Sequence, residues 1–232
     1  MFPRQMTETM ATRTFEDVKQ EYSPCLSAAG TDKTTYYSTW AENYEQDMQI
    51  LEFSSPRLAA NSVSAHFTGD RESAAVLDVA CGTGLVAEQL RQHGFTHFVG
   101  VDGSKSMLEI ARKKGLYEDL KECLLGDQPL PLPKGSFDVV IIVAALMVDH
   151  VPVCVVRHLC DVCKPGGYVS MVCGRDYNNL EYKADLEREL KEMEEEGLWS
   201  CVEVLEAENW ARSVSGAGDT YTSGSVYLYK KV

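Results

Sequence analysis

From Ala75 onward, short apolar runs bounded by glycines and charged residues alternate with amphipathic segments. The pattern predicts strands over about 75–80, 97–101, 121–125, 137–143 and 167–173, with helices over about 84–93, 105–114 and 152–163 between them. A run such as "FDVVIIVAAL" is apolar at successive positions, so both faces of that strand need covering. That is the pattern of a central strand in a largely parallel sheet with helices on each side. One more helix, "EYKADLERELKEMEEEG", follows, and then strand candidates around 199–208 and 221–230. These two are separated only by "SVSGAGD", which permits an antiparallel pair rather than another crossover. The fold class is α/β, a doubly wound domain.

Upstream, "TYYSTWAENYEQDMQILEF" spaces Tyr37, Trp40, Tyr44 and Met48 three and four residues apart, which lines aromatics along one helical face. A second helix over Ser55–Phe67 has Pro56 near its start. Residues 1–35 show no lasting period and are expected to form a mobile segment. Residues 36–232 are then one domain, with a helical lead-in at 36–70, a core at 75–175, and a C-terminal helix and strand pair at 176–232.

Composition narrows the partners. The 232 residues are 44% hydrophobic, enough for one full core, and carry a formal charge of −13, which repels a phosphate backbone and argues against bulk nucleic acid. "MFPRQMTETMATRTF" lacks the apolar stretch of a signal peptide, and the longest apolar run, "VVIIVAALMV", is half a membrane span. The expectation is a soluble intracellular protein, cytoplasmic with the nucleus left open, acting as a monomer away from membranes. Its eight cysteines sit mostly in apolar runs and read as reduced, buried thiols. Cys160 and Cys163 form a lone C-x-x-C with no second pair to complete a zinc site, so no metal is expected.

The chemistry concentrates at "VLDVACGTGLVAEQL". A helix that starts directly after a parallel strand aims free N–H groups at the carboxyl edge of the sheet, and Gly82 and Gly84 clear side chains from that edge. "GTGLVA" also satisfies a dinucleotide pattern, which keeps NAD as a rival. Asp78 lies under the turn, Asp102 follows the second strand, and Asp127 follows the third in "LLGDQ". Three carboxylates along one edge suit an adenosine bearing a sulfonium and an ammonium better than a pyrophosphate.

"LDVACGTG", "VGVDGSKSML", "LLGDQPLPLPKGSFDVVI" and "CKPGGYVSM", in this order, resemble the successive motifs of class I S-adenosylmethionine-dependent methyltransferases across residues 36–175. The resemblance implies a Rossmann-like sheet of seven strands with the last antiparallel, helices on both faces, and S-adenosyl-L-methionine as cofactor, leaving S-adenosyl-L-homocysteine. It further implies that Ala80, Cys81, Gly82 and Gly84 contact the methionine portion and ribose. Asp102 and Gly103 would serve the ribose, Met107 would pack on adenine, Asp127 and Gln128 would read the adenine edge, and Val143 would receive the amino group. Tyr37, Trp40 and Tyr44 resemble the lead-in of a subset of these enzymes and would form a lid. Where this chain has Ala80, the family usually has glycine.

Methyl transfer from a sulfonium is an in-line displacement, so a base matters only when the acceptor must lose a proton. His150, after the fourth strand, is the candidate base; the alternative is a loop histidine beside Asp149 acting as a helix cap. The motifs of amino-methylating nucleic-acid enzymes and of arginine methyltransferases are absent, as is a magnesium site of catechol type. A small-molecule or protein acceptor remains. The alternatives left open are a catalytically silent S-adenosylmethionine-binding module and an NAD-linked oxidoreductase.

Overall fold

Valine and isoleucine at every position of 139–143, after Phe137 and Asp138, place that stretch where only a central strand can satisfy both faces. In the computed structural model, which describes residues 13–27, 32–174, 180–215 and 220–232, it is β4 (Phe137–Val143). It lies between β1 (Ala75–Val79) and β5 (Cys163–Gly174) in a seven-stranded sheet. β2 (His97–Asp102) and β3 (Tyr117–Glu122) continue one side; β7 (Tyr221–Lys231) and β6 (Trp199–Arg212) finish the other, in the order β3-β2-β1-β4-β5-β7-β6. All pairings from β3 to β5 are parallel, while β7 runs antiparallel to both β5 and β6. The sheet reverses its winding between β1 and β4, which opens a crevice at the carboxyl ends of those strands.

Strand alternation sorts the core into two layers. Val140 and Ile142 face a cluster completed by α6 (Val155–Val162) and α7 (Leu180–Glu195), through Val156, Leu159, Leu186 and Leu190. Val139 and Ile141 face the opposite cluster, with Ala59 and Val63 of α3 (Ser55–His66) and Val86 and Leu90 of α4 (Leu85–Gln92). α5 (Lys105–Lys114) buries Met107, Leu108 and Ala111 near β2 and β3.

Several boundaries depart from the sequence pattern. The third strand is 117–122, not 121–125; it is the edge strand, with Glu118, Asp119 and Glu122 exposed, so its polar sequence hides it and the apolar "CLL" that follows is loop. α6 starts at Val155 rather than 152, because Cys154 is its cap residue. Asp149 is therefore no helix cap; it is exposed, in the left-handed region at φ 60°. Within the segment expected to be mobile, Phe15–Ser27 forms α1, while residues 1–12 and 28–31 lie outside the described residues. The Gly/Ser-rich loop before β7 lies partly outside them too, at 216–219.

α1 packs on α2 (Lys33–Ile50) through Val18 and Tyr22, the latter 5.5 Å from Trp40 between ring centroids. Asp47, fully buried, accepts a fork from Arg13 at 2.5 and 2.6 Å and the Trp40 Nε1–H at 2.7 Å. A buried carboxylate deprived of its cation is costly. Arg13→Ala is expected to destabilise the fold by about 3 kcal/mol in denaturant unfolding; a change below about 0.5 kcal/mol, the level of an exposed pair, would contradict this role for the fork.

Candidate functional site

β1, β2 and β4 end at one edge of the sheet, and the residues that follow them line a cleft with α2 as its outer wall. The cleft holds about 760 Å³ of space free of protein atoms, part of it open to solvent. Ala80 and Gly82 come from the turn after β1, Asp102 and Gly103 from the end of β2, and Val143, Ala144 and Ala145 from the end of β4. Met107 of α5, Cys123, Leu124 and Leu125 after β3, Tyr37 and Tyr44 of α2, and His150 complete most of the wall.

The turn owes its shape to backbone conformation. Ala80, Gly82 and Gly84 are all left-handed, at φ 54°, 53° and 95°. A Cβ on Gly82 would meet nothing within 4 Å, so this position keeps the cleft open. Ala80 adopts a conformation that a side chain disfavours, which accounts physically for glycine being usual there. Asp102 braces the turn: its Oδ2 accepts the Gly82 N–H at 2.8 Å and its Oδ1 the Ser104 N–H at 2.7 Å. Burial raises its pKa, and those two amide bonds act in the opposite direction.

Asp78 does not line the cleft. It is 1% exposed; its Oδ2 accepts the Tyr117 hydroxyl at 2.7 Å, and its Oδ1 makes no hydrogen bond of normal geometry among the described residues. Burial pushes its pKa up to about 7; the Tyr117 hydroxyl lowers it, Asp102 raises it further, and the Ala87 amide lowers it weakly. Cys81 is also buried behind the wall. Gly84 is buried too, and the space over it is filled by Tyr117.

The aromatic stripe divides in two. Tyr37 and Tyr44 face the cleft, whereas Trp40, 1% exposed, stands behind them, stacked on Tyr37 at 6.0 Å and edge-on to Tyr44 at 4.9 Å. Ser38 reaches Ser104 at 2.9 Å, tying α2 to the cap of α5. His150 sits edge-on to Tyr37, with centroids 5.9 Å apart. Its Nδ1 is 3.1 Å from the Val148 carbonyl, and burial lowers its pKa, which favours the neutral ring.

Asp127 and Gln128 are exposed in the loop after β3, outside this wall, and Asp127 meets the Cys154 thiol at 3.5 Å instead. The sequence placed them at a strand end because the third strand was set too late. Lys33, Thr34, Val151 and the 123–125 loop are lining residues that sequence reasoning missed. The last had a signal, an apolar "CLL" read as strand; the others lie in stretches with no distinguishing pattern. Among the described residues no group of three His, Cys, Asp or Glu is arranged to hold a metal ion, and no helix is long and apolar enough to cross a membrane.

Residues 77–171 match a family described as a methyltransferase domain. The chain is 46% identical over 167 residues to methyltransferase-like protein 27 of Homo sapiens, covering 72% of this chain and 68% of that one. Its fold is shared by an S-adenosylmethionine dependent methyltransferase from Mesorhizobium loti, with TM-score 0.51, 17% identity, and 75% and 98% of the two chains covered. It is also shared by the [4+2]-cyclase SpnF, with TM-score 0.59, 18% identity, and 76% and 81% covered.

The Asp78 carboxyl has a stability consequence. Its pKa is about 7 in the folded chain against an ordinary 3.8, so it favours folding at low pH and loses that contribution as pH rises through 7. Asp78→Asn, which does not titrate, is expected to gain in Tm over the unsubstituted ligand-free protein between pH 5 and pH 8. A Tm difference unchanged across that interval would contradict the buried, raised carboxyl.

Proposed function

The chain belongs to the class I S-adenosylmethionine-dependent methyltransferases, and we propose that it transfers the sulfonium methyl group to a small molecule or a protein side chain by in-line displacement. The observation that carries this reading is the Asp102 brace: a carboxylate at the end of β2, held by the Gly82 and Ser104 amides and facing the cleft. Each of its oxygens keeps acceptor capacity for a ribose hydroxyl.

The residues present fit the cofactor. Gly82 leaves open space where a side chain would intrude, and the unpartnered Asp78 oxygen beneath the turn suits a ligand bearing positive charge. Asp102 and Gly103 would hold the ribose, and Ala80, Gly82 and the backbone at Val143 the methionine portion. Met107 with Cys123, Leu124 and Leu125 would enclose the adenine. Asp127 and Gln128, exposed outside the wall, take no part in this assignment, and Trp40 supports the two tyrosines without touching the ligand.

S-adenosylmethionine supplies an activated methyl group when bound. The chain's own contribution is to orient and to exclude water. Tyr37 and Tyr44 serve as the lid over the cleft, and their ring faces favour a sulfonium through cation–π attraction. His150, neutral and lining the cleft, takes a proton at Nε2 from an acceptor that must be deprotonated.

Calorimetric titration tests the donor. S-adenosylmethionine and S-adenosylhomocysteine are expected to bind and NAD not to; NAD binding without either adenosyl-sulfur ligand would overturn the reading. Incubating the protein with cell extract and labelled cofactor tests the transfer, with a labelled acceptor expected. Cofactor binding with no label transferred would favour a silent binding module. Once an acceptor is in hand, His150→Ala is expected to lower kcat by about 100-fold with cofactor Kd little changed; unchanged turnover would remove His150 from the chemistry.

A further inference from the structure

Tyr117 lies outside the cleft and packs beneath the turn that lines it. It opens the edge strand β3, and its ring reaches across β2 to the end of β1. That path needs two positions without side chains. A Cβ on Gly100 of β2 would stand 2.9 Å from Tyr117 Cε1, and a Cβ on Gly84 would stand 3.1 Å from Cε2 and 3.3 Å from the hydroxyl oxygen. Gly84, whose place in the sequence motif points to the ligand, thus makes room for a tyrosine. The hydroxyl ends 2.7 Å from Asp78 Oδ2.

We propose that Tyr117 is the positioning residue of the cofactor turn: its hydroxyl holds the Asp78 carboxylate in its charged form beneath Gly82, and that charge favours the cationic methionine end of S-adenosylmethionine. The proposal rests on the cofactor reading above. Within the described residues, the Tyr117 hydroxyl is the one hydrogen bond of normal geometry that the Asp78 side chain makes. A buried carboxylate with so little support takes up a proton unless something favours the charge.

The surrounding charges do not favour it. Asp102 on β2 opposes ionisation of Asp78, and the buried Cys81 thiol in the turn carries no compensating charge. Glu88 on α4 acts electrostatically on Tyr117 and is paired with Lys114 of α5, which also holds Glu45 of α2. On the β4 side, the register neighbour of Asp78 is Ile141, which is uncharged. The hydroxyl is therefore the stronger of the two groups that favour the charged form of Asp78, the Ala87 amide being the weaker, and a pKa of about 7 makes the balance sensitive near neutral pH.

The test is the affinity for S-adenosylmethionine and S-adenosylhomocysteine from pH 6 to pH 9 in the intact protein and in Tyr117→Phe. In the unsubstituted protein, affinity for S-adenosylmethionine is expected to rise with pH through 7. Tyr117→Phe removes one hydroxyl and should move that rise up by about one pH unit, weakening binding up to tenfold at pH 7 and converging at pH 9. S-adenosylhomocysteine, which lacks the sulfonium, should show the smaller dependence. Asp78→Asn should lose the rise through pH 7 that the unsubstituted protein shows, and it carries the test where Tyr117→Phe does not fold.

A Tyr117→Phe protein that loses affinity by the same factor at every pH, or loses none, would overturn the proposal, as would an Asp78→Asn profile like that of the unsubstituted protein. An unsubstituted protein that binds neither ligand at any pH would sink the cofactor reading itself. One that binds both with no pH dependence would sink only the role of Tyr117 and Asp78.

Discussion

The Gly82 N–H donates to the Asp102 carboxylate at 2.8 Å, and this bond joins the turn after β1 to the end of β2. Parallel strands end in separate loops, so nothing in the sheet ladder itself fixes how neighbouring loops meet. Here a side chain from one closes on the backbone of the other. The three left-handed residues at 80, 82 and 84 bend the chain so that the Gly82 amide faces β2. The same carboxylate takes the Ser104 amide at the start of α5, so two loops and a helix are set by one group. That group faces the cleft, which makes the brace both a structural joint and the recognition element proposed for the ribose.

Around this joint the cleft has walls of different origin. The floor belongs to the parallel sheet and is dictated by apolar strands buried on both faces. The outer wall belongs to α2, whose Trp40 supports Tyr37 and Tyr44 from behind and is itself tied to Asp47 and, through it, to Arg13. The wall is tied to the start of α5 by the Ser38–Ser104 contact at 2.9 Å. In the proposed reading this division sets the chemical roles: charged recognition from the sheet side, and apolar cover and water exclusion from the helix side.

The doubly wound sheet was legible because β1, β2, β4 and β5 are apolar on both faces, a pattern that few other structures tolerate. β3 was misplaced because an edge strand exposes one side and keeps polar residues such as Glu118 and Asp119, while the neighbouring apolar loop mimics a strand. That displacement carried Asp127 and Gln128 into the expected site and left Cys123, Leu124 and Leu125 out of it. The glycine turn and Asp102 were legible through their spacing. Tyr117 was not, since its contact with Asp78 spans 39 residues and two strands and leaves no mark in local sequence. α1 was hidden for a similar reason: its short apolar face becomes meaningful only against Trp40.

The central claim is that one carboxylate, Asp102, organises the turn and receives the cofactor. A crystal structure of the protein with S-adenosylhomocysteine tests it most directly. The account predicts the ribose hydroxyls on the Asp102 oxygens, the Gly82 amide bond intact, and the adenine between Met107 and the 123–125 loop. A ligand seated elsewhere, or one that binds this cleft with Asp102 detached from Gly82 and from the ribose, would contradict it.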